Sequence, residues 1–203
     1  YEAARLAGGR ARSYFDATLG LTIDNGNHLL LSGNRAALDY ARRLNTSEAL
    51  IGPDSCAFDF MDLATGARWR LRPNDSQFPW WVFFKNRRVP GTRPMDYLDA
   101  AKLLFAKQNA TIGETMRCEG ALYEKLWRPV MLSALNTEPP EASAALAGAI
   151  LRETLAAGGR ACRPLVAKKG LGDVFVEPAL HKLAQHAIIP KFGARLKEIV
   201  FTQ

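Results

Sequence analysis

Two stretches near the start of the chain decide the fold prediction, and they are Glu2-Ala-Ala-Arg-Leu-Ala-Gly-Gly-Arg-Ala-Arg-Ser13 and Ile23-Asp-Asn-Gly-Asn-His28. The opening pair, Tyr1-Glu2, has the pattern of the end of a strand. A carboxylate at a strand end is the group with which dinucleotide-binding folds hold a ribose diol. Glu2 is therefore a candidate ligand for a nucleotide.

A pair of glycines follows in the first stretch. Gly8 and Gly9 provide a bend without side chains, where the backbone can approach a ligand closely. Arg10 and Arg12 stand beside this bend and can meet the charge of a phosphate. Because Gly-Gly-Arg alone is more often an ordinary turn, the prediction of a nucleotide site depends on the rest of the chain.

The rest of the chain adds a family resemblance. Glu2, the Gly8-Gly9-Arg10 turn and the Asp24-x-Gly26-x-His28 block resemble the glutathione-reductase-type flavoproteins of the amine oxidase and phytoene desaturase group. A closer resemblance, over nearly the whole chain, is to the squalene-associated FAD-dependent desaturases, also called hydroxysqualene dehydroxylases. Four runs carry it: Ile23-Asp-Asn-Gly-Asn-His-Leu-Leu-Leu-Ser-Gly-Asn34, Leu126-Trp-Arg-Pro129, Ala134-Leu-Asn-Thr137 and Leu151-Arg-Glu-Thr-Leu155.

The resemblance implies an FAD cofactor. Glu2 would bind its ribose, Arg10 its phosphates, and the backbone of Leu196 its adenine, where the family more often has Val. Residues 25 to 28 would border the isoalloxazine ring, where backbone N–H groups and small residues can approach the flavin. The implied cofactor-binding residues are Glu2, Gly8, Gly9, Arg10, Asn25, Gly26, Asn27 and Leu196.

The reaction implied by the resemblance replaces the hydroxyl of hydroxysqualene with hydrogen at the expense of reduced flavin, giving squalene for hopanoid synthesis. Asp24 and His28 are candidate catalytic residues as proton donors. From the residues alone, a turn carboxylate and a structural histidine remain alternatives. A phytoene-desaturase-like or amine-oxidase-like enzyme, or a lipid-binding module without chemistry of its own, also remain open.

The Gly-x-Gly-x-x-Gly turn with which this family binds pyrophosphate does not occur in the sequence. The chain is therefore expected to be an internal piece of an enzyme, and to be inactive alone if it cannot hold FAD unaided. The expected fold class is α/β (α+β), with part of a glutathione-reductase-type FAD-binding domain and an inserted substrate domain of mixed sheet and helices. The predicted domains are 1–38 (FAD-binding), 39–163 (substrate-binding cap) and 164–203 (return to the FAD-binding domain).

Sequence patterns place the main elements. A strand or hairpin is predicted within 13–23, a hairpin within 57–71, and a further strand at 188–192. Helices are predicted over 29–44, 95–107, 122–135, 144–155 and 176–186, with a short one opened by the capping box at Thr111-Ile-Gly-Glu114.

The most apolar stretch is Phe78-Pro-Trp-Trp-Val-Phe-Phe84, close to Arg87-Arg88. One interpretation is a core strand or the floor of the second domain. The other is a lipophilic channel or an interfacial patch, in which Trp lies at the headgroup level and Arg faces anionic lipid. An isoprenoid substrate must be bound mainly by burying its CH₂ and CH groups, so aromatic walls suit it. The substrate-binding candidates are Phe78, Trp80, Trp81, Phe83 and Trp127.

Composition limits the remaining classes. The net charge of +7 suits anionic partners, but it is dispersed and no nucleic-acid motif accompanies it, so no nucleic-acid partner is expected. The three cysteines have no C-x-x-C spacing, which suggests neither a disulfide framework nor a metal site. No run of about 18 apolar residues is present. A cytoplasmic protein is expected, with any membrane contact peripheral, at the inner membrane surface.

Overall fold

The computed structural model describes residues 1–26 and 28–201. The architecture is a mixture of helices and small sheets, which agrees with the predicted α/β class. The chain divides into two compact units. We call them the terminal unit (Tyr1–Leu30, Arg35–Gly52 and Pro164–Gln203) and the central unit (Leu31–Asn34 and Pro53–Arg163). Arg35–Gly52 thus groups with the two ends of the chain, and the roles predicted for the segments stay predictions.

The regular elements are short. The strands are β1 (Ser13–Asp16), β2 (Leu21–Asp24), β3 (Leu30–Leu31), β4 (Leu50–Ile51), β5 (Phe58–Met61), β6 (Arg68–Leu71) and β7 (Pro164–Ala167). The helices are α1 (Arg35–Arg43), α2 (Leu98–Ala101), α3 (Ile112–Thr115), α4 (Arg128–Leu135), α5 (Ala144–Glu153) and α6 (Glu177–Gln185).

The terminal unit is built on two strand pairs. β1 and β2 form an antiparallel hairpin in which Ser13 is opposite Asp24, so of the strand or hairpin predicted within 13–23 the structure has the hairpin. β4 pairs antiparallel with β7, and β3 is the neighbour of β7 on the other side. The predicted helix over 29–44 begins only at Arg35, because the preceding leucines form β3.

The strand predicted at 188–192 is wrong. These residues are irregular, and their backbone instead bonds to the irregular start of the chain. Glu2 N donates to Lys191 O at 2.8 Å, and Ala194 N donates to Glu2 O at 2.9 Å. A third bond runs from Gly193 N to Ala4 O at 3.0 Å, so all three bonds involve residues 191–194, and the apolar Ile188 and Ile189 are not part of a ladder.

In the central unit, β5 and β6 form the second predicted hairpin, with the rings of Phe60 and Trp69 stacked 5.4 Å apart. The capping box is also confirmed: Thr111 N donates to the Glu114 carboxylate, and Glu114 N donates to Thr111 Oγ1. The predicted helix over 122–135 is one wide turn at 123–127 that continues into α4. Pro129 lacks the N–H that a regular α-helical turn would use there.

The helix predicted over 95–107 is divided into a 3₁₀ turn, α2 and a second 3₁₀ turn at 102–105. α5 lies directly against this last turn at Gly148, where an added Cβ would stand 2.0 Å from Leu103 O. The small residues of α5 therefore allow the two backbones to approach closely.

One hydrophobic core belongs to the central unit. Its largest fully buried side chains include Leu103, Ile112, Leu126 and Met131. All four tryptophans of the chain lie in this unit, at 69, 80, 81 and 127.

The two ends of the central unit lie side by side. Ser32 N donates to Arg163 O at 2.9 Å, and Arg163 N donates back to Ser32 Oγ at 3.0 Å. The buried thiol of Cys56 donates to Cys162 O at 3.5 Å. The pKa of the Cys162 thiol is raised by its hydrogen bond with the Cys56 thiol and by burial.

Candidate functional site

A polar latch joins the β1–β2 hairpin to the segment before α6 in the terminal unit. Ser13 Oγ donates to Asp24 Oδ1 at 2.6 Å, and the same oxygen accepts from Leu171 N at 2.8 Å. Gly172 N donates to Ser13 Oγ at 2.8 Å. We call these four residues the Asp24 latch. No sequence pattern predicts this latch, because its two halves lie 147 residues apart along the chain.

The predicted glycine bend is present. Gly8 has φ of +101° and Gly9 has φ of +50°, a region that strongly favours glycine. A Cβ on Gly8 would also stand 2.8 Å from Val176 Cγ2. Arg10 is exposed beside the bend, whereas Arg12 has a buried Nε for which the described residues offer no partner. Two guanidinium groups therefore lie near the bend: that of Arg10 is exposed, and that of Arg12 has a buried Nε without a partner among the described residues.

Glu2 lies beside the segment that leads to Leu196, so the structure brings two predicted cofactor residues into the same part of the terminal unit. Besides the backbone bonds to 191 and 194, the Glu2 carboxylate accepts from Ala4 N at 2.8 Å. The Glu2 side chain is half-buried and Leu196 is exposed. Their roles toward a nucleotide stay predictions.

The two candidate proton donors have different surroundings. The carboxylate of Asp24 already accepts two hydrogen bonds within the latch, from Ser13 Oγ and Leu171 N. His28 is half-buried, and its Nε2 is buried without a partner among residues 1–26 and 28–201. Asn25 and Gly26 are exposed at the end of β2, and the predicted residue Asn27 lies outside the described residues.

The predicted substrate residues divide into a buried pair and an exposed group. Trp81 and Trp127 are buried, and both contact the Tyr97 ring edge-on, with centroid distances of 5.1 and 6.5 Å. Phe78, Trp80 and Phe83 lie at the surface. The interpretation of this run as a core strand is wrong: residues 80–83 form a 3₁₀ turn, in which adjacent tryptophans face opposite environments.

The central unit also contains an open cavity of about 680 Å³ that the sequence did not predict. Its aromatic wall is formed by Tyr123 and Trp127, and the indole Nε1 of Trp127 is buried without a partner among the described residues. Burial raises the pKa of Tyr123 to about 12, so its hydroxyl stays protonated at neutral pH. Charged side chains also line the cavity: Asp96, Asp99, Lys102, Glu114, Arg117 and Glu119.

Candidate metal sites and membrane-spanning helices are both absent from the described part of the chain. Within residues 1–26 and 28–201, histidine, cysteine and carboxylate side chains form no group of three or more that could hold a metal ion. In the same residues, every helix is too short or too polar to cross a membrane.

The chain belongs to the family of flavin-containing amine oxidoreductases, whose family model matches residues 1–199. This membership confirms the predicted flavoprotein oxidoreductase class, with FAD as the cofactor.

Three curated relatives are named hydroxysqualene dehydroxylase. The protein from Rhodopseudomonas palustris is 53% identical over 98% of this chain and 48% of its own length. The protein from Sinorhizobium fredii is 51% identical over 98% of this chain and 48% of its own length. The protein from Zymomonas mobilis is 43% identical over 100% of this chain and 49% of its own length. The chain thus spans about half the length of these relatives.

Proposed function

We propose that the chain forms part of an FAD-dependent oxidoreductase that converts hydroxysqualene to squalene in hopanoid biosynthesis. The observation that carries the proposal is the 53% identity, across 98% of the chain, to a relative named hydroxysqualene dehydroxylase. The activity belongs to the whole protein. The protein is proposed to be cytoplasmic, with peripheral membrane contact.

The terminal unit is proposed as part of a glutathione-reductase-type FAD domain, and its residues fit the phosphate and ribose ends of that cofactor. The glycine bend exposes backbone, and the buried, unpaired Nε of Arg12 is a donor suited to an anion. Arg10 would add a second cation, and Glu2 would accept from the ribose hydroxyls. When bound, reduced flavin would supply the two electrons, as a hydride equivalent, that form the C–H bond replacing the C–OH bond, and a proton would let the hydroxyl leave as water.

Of the two candidate proton donors, His28 is the better supported. Its Nε2 is buried and unpaired among the described residues, so it is free to donate toward a departing hydroxyl. Asp24 would have to give up its bonds to Ser13 and Leu171 to do the same. Asp24 is therefore proposed as a positioning residue of the hairpin that leads to His28.

In the central unit, the aromatic wall at Tyr123 and Trp127 is the proposed substrate contact. The unpaired indole N–H of Trp127 can donate to a single hydroxyl, and the rings can cover isoprenoid carbon. Each buried CH₂ of such a chain contributes about 0.8 kcal/mol. Because the proposed substrate has no phosphate and few polar groups, burial of its carbon chain would be the main source of its affinity.

The first test measures FAD binding and activity of the purified full-length protein. We expect FAD absorbance to be retained through gel filtration, and anaerobic turnover of hydroxysqualene to squalene with chemically reduced flavin. Glu2→Ala should weaken FAD retention at least tenfold. Glu198→Ala, an exposed carboxylate of the same unit, is the matched control.

The proposed substrate and the proposed ribose-binding role of Glu2 can be contradicted independently of each other. A flavin-loaded protein that leaves hydroxysqualene unchanged but oxidises an amine or desaturates a carotenoid precursor would contradict the substrate while keeping the flavoprotein class. Equal FAD retention by Glu2→Ala and wild type would remove Glu2 from the ribose site.

A further inference from the structure

Three aromatic side chains in mutual ring contact, Phe78, Trp80 and Phe83, form a surface cluster in the central unit, and the exposed Phe84 follows directly along the chain. We call these four residues the aromatic patch, and their exposed fractions are 54, 56, 53 and 53% in sequence order. The ring centroids of Phe78 and Trp80 are 4.4 Å apart, and those of Trp80 and Phe83 are 6.1 Å apart. Large rings exposed next to one another in this way mark a surface that contacts something apolar.

The patch is held rigidly in its exposed position. Asn74 Nδ2 donates to Phe78 O at 2.9 Å, and Asn74 Oδ1 accepts from Trp81 N at 3.0 Å. The 3₁₀ turn then buries Trp81 and Val82 in the core, which forces Trp80 and Phe83 outward. The rings are therefore exposed because their neighbours along the chain are anchored.

A basic cleft follows the patch along the chain. It has a volume of about 440 Å³ and is lined by Lys85, Arg88 and residues 89–92. Arg88 Nη1 donates to Val82 O at 2.7 Å, which fixes the guanidinium next to the turn that carries the patch. The exposed Lys85 is separated from Phe84 by a single peptide bond. Cationic side chains thus border the rings.

We infer that the aromatic patch and the basic cleft together dock the protein on a bilayer that contains anionic phospholipids. The rings would lie at the boundary between headgroups and acyl chains, where Trp is favoured, and Lys85 and Arg88 would meet the phosphates. Rings bordered by cations match the apolar interior and anionic surface of such a bilayer, whereas the larger cavity, lined by four carboxylates and two cations, does not. The inference goes beyond the proposed reaction and requires neither flavin nor turnover.

The test is co-flotation of the purified full-length protein with phosphatidylcholine vesicles, with and without 30 mol% phosphatidylglycerol. We expect binding that requires phosphatidylglycerol and weakens in high salt. The double variant Trp80→Ala/Phe83→Ala should reduce partitioning at least tenfold, and Lys85→Glu about threefold to tenfold. Phe105→Ala, whose ring is 87% exposed elsewhere in the central unit, is the matched control and should bind as wild type.

Insertion of the rings is measured by fluorescence quenching with brominated lipids. Quenching in wild type that is largely lost in Trp80→Phe, a variant that keeps an aromatic ring, supports the inference. Binding that is equal to neutral vesicles, or that is unchanged in the double variant, overturns it. An absence of quenching also overturns it, and would mean that the patch is covered by protein or substrate instead.

Discussion

The two units differ in how they use their apolar side chains. The central unit gathers a continuous core of buried residues, from Leu71 to Leu151, and keeps its tryptophans in or beside it. The terminal unit buries few apolar side chains among the described residues, chiefly Ala41, Leu171 and Val174. It is organised by polar bonds such as the Asp24 latch. The units should therefore respond to different kinds of substitution.

The largest effect is expected in the central core. Leu103→Ala removes a side chain that is 1% exposed, so it should reduce the free energy of unfolding by about 2–5 kcal/mol. Because all four tryptophans lie in this unit, urea unfolding followed by tryptophan fluorescence measures it directly. Leu98→Ala, with a side chain 57% exposed on α2, is the control. Equal losses for both leucines would contradict a single localised core.

The second prediction tests the terminal unit. Asp24→Asn weakens the charged acceptor of two hydrogen bonds, which should cost about 1.5–3 kcal/mol of local stability. Amide exchange at Leu171 and Gly172 should accelerate while tryptophan fluorescence unfolding stays unchanged. Asp173→Asn, an exposed carboxylate in the same segment, should leave both signals as in wild type. Acceleration confined to other amides would show that the latch does not hold this unit together.

A smaller effect is expected at the start of α5. Ser143 Oγ accepts from Leu146 N at 3.3 Å and caps the helix. Ser143→Ala should reduce the free energy of unfolding by about 1 kcal/mol, because a helix N-terminal N–H loses its partner. Thermal unfolding followed by circular dichroism checks this, with the exposed Ser133→Ala in α4 as control. A loss as large as that of Leu103→Ala would mean that capping, not the core, dominates this unit.

The smallest effect is expected at the surface of the β5–β6 hairpin. The hydrogen bond from Arg70, with Nη2 2.8 Å from Asp59 Oδ2, lowers the pKa of Asp59. A lowered folded-state pKa stabilises the protein above the ordinary pKa of about 3.9, and this contribution is lost as the pH falls through the folded-state pKa. The thermal midpoints of Arg70→Ala and wild type should differ slightly at pH 7 and converge as the pH falls through the lowered folded-state pKa of Asp59. High salt should reduce the difference at pH 7, since the pair is exposed.

Sequence reasoning succeeded where the signal was local. Alternating side chains and a glycine turn predicted the β5–β6 hairpin, and a threonine three residues before a glutamate predicted the cap of α3. It failed where the outcome depended on distant packing. Trp80 is exposed and Trp81 is buried because Asn74 holds the backbone N–H of Trp81. Residues 188–192 are irregular, and the backbone at this end of the chain bonds to the start of the chain.

The candidate site shows the same limit. The glycine bend was predicted from two adjacent residues, and its positive φ angles are present. The hydrogen bond from Leu171 N to the Asp24 carboxylate could not be predicted, because no periodic pattern links residues 147 positions apart. Family resemblance supplied the cofactor, which no local pattern in this chain could specify.

The adjacent ends of the central unit have a consequence for how the chain tolerates changes in length. More than a hundred residues run from Pro53 to Arg163, yet Ser32 and Arg163 are joined by a backbone hydrogen bond, and the Cys56 thiol donates a hydrogen bond to the Cys162 carbonyl. A segment whose two ends meet can be lengthened, shortened or exchanged for another without altering the spacing of the chain on either side. The central unit therefore has the geometry in which a segment of chain tolerates insertion, deletion or exchange.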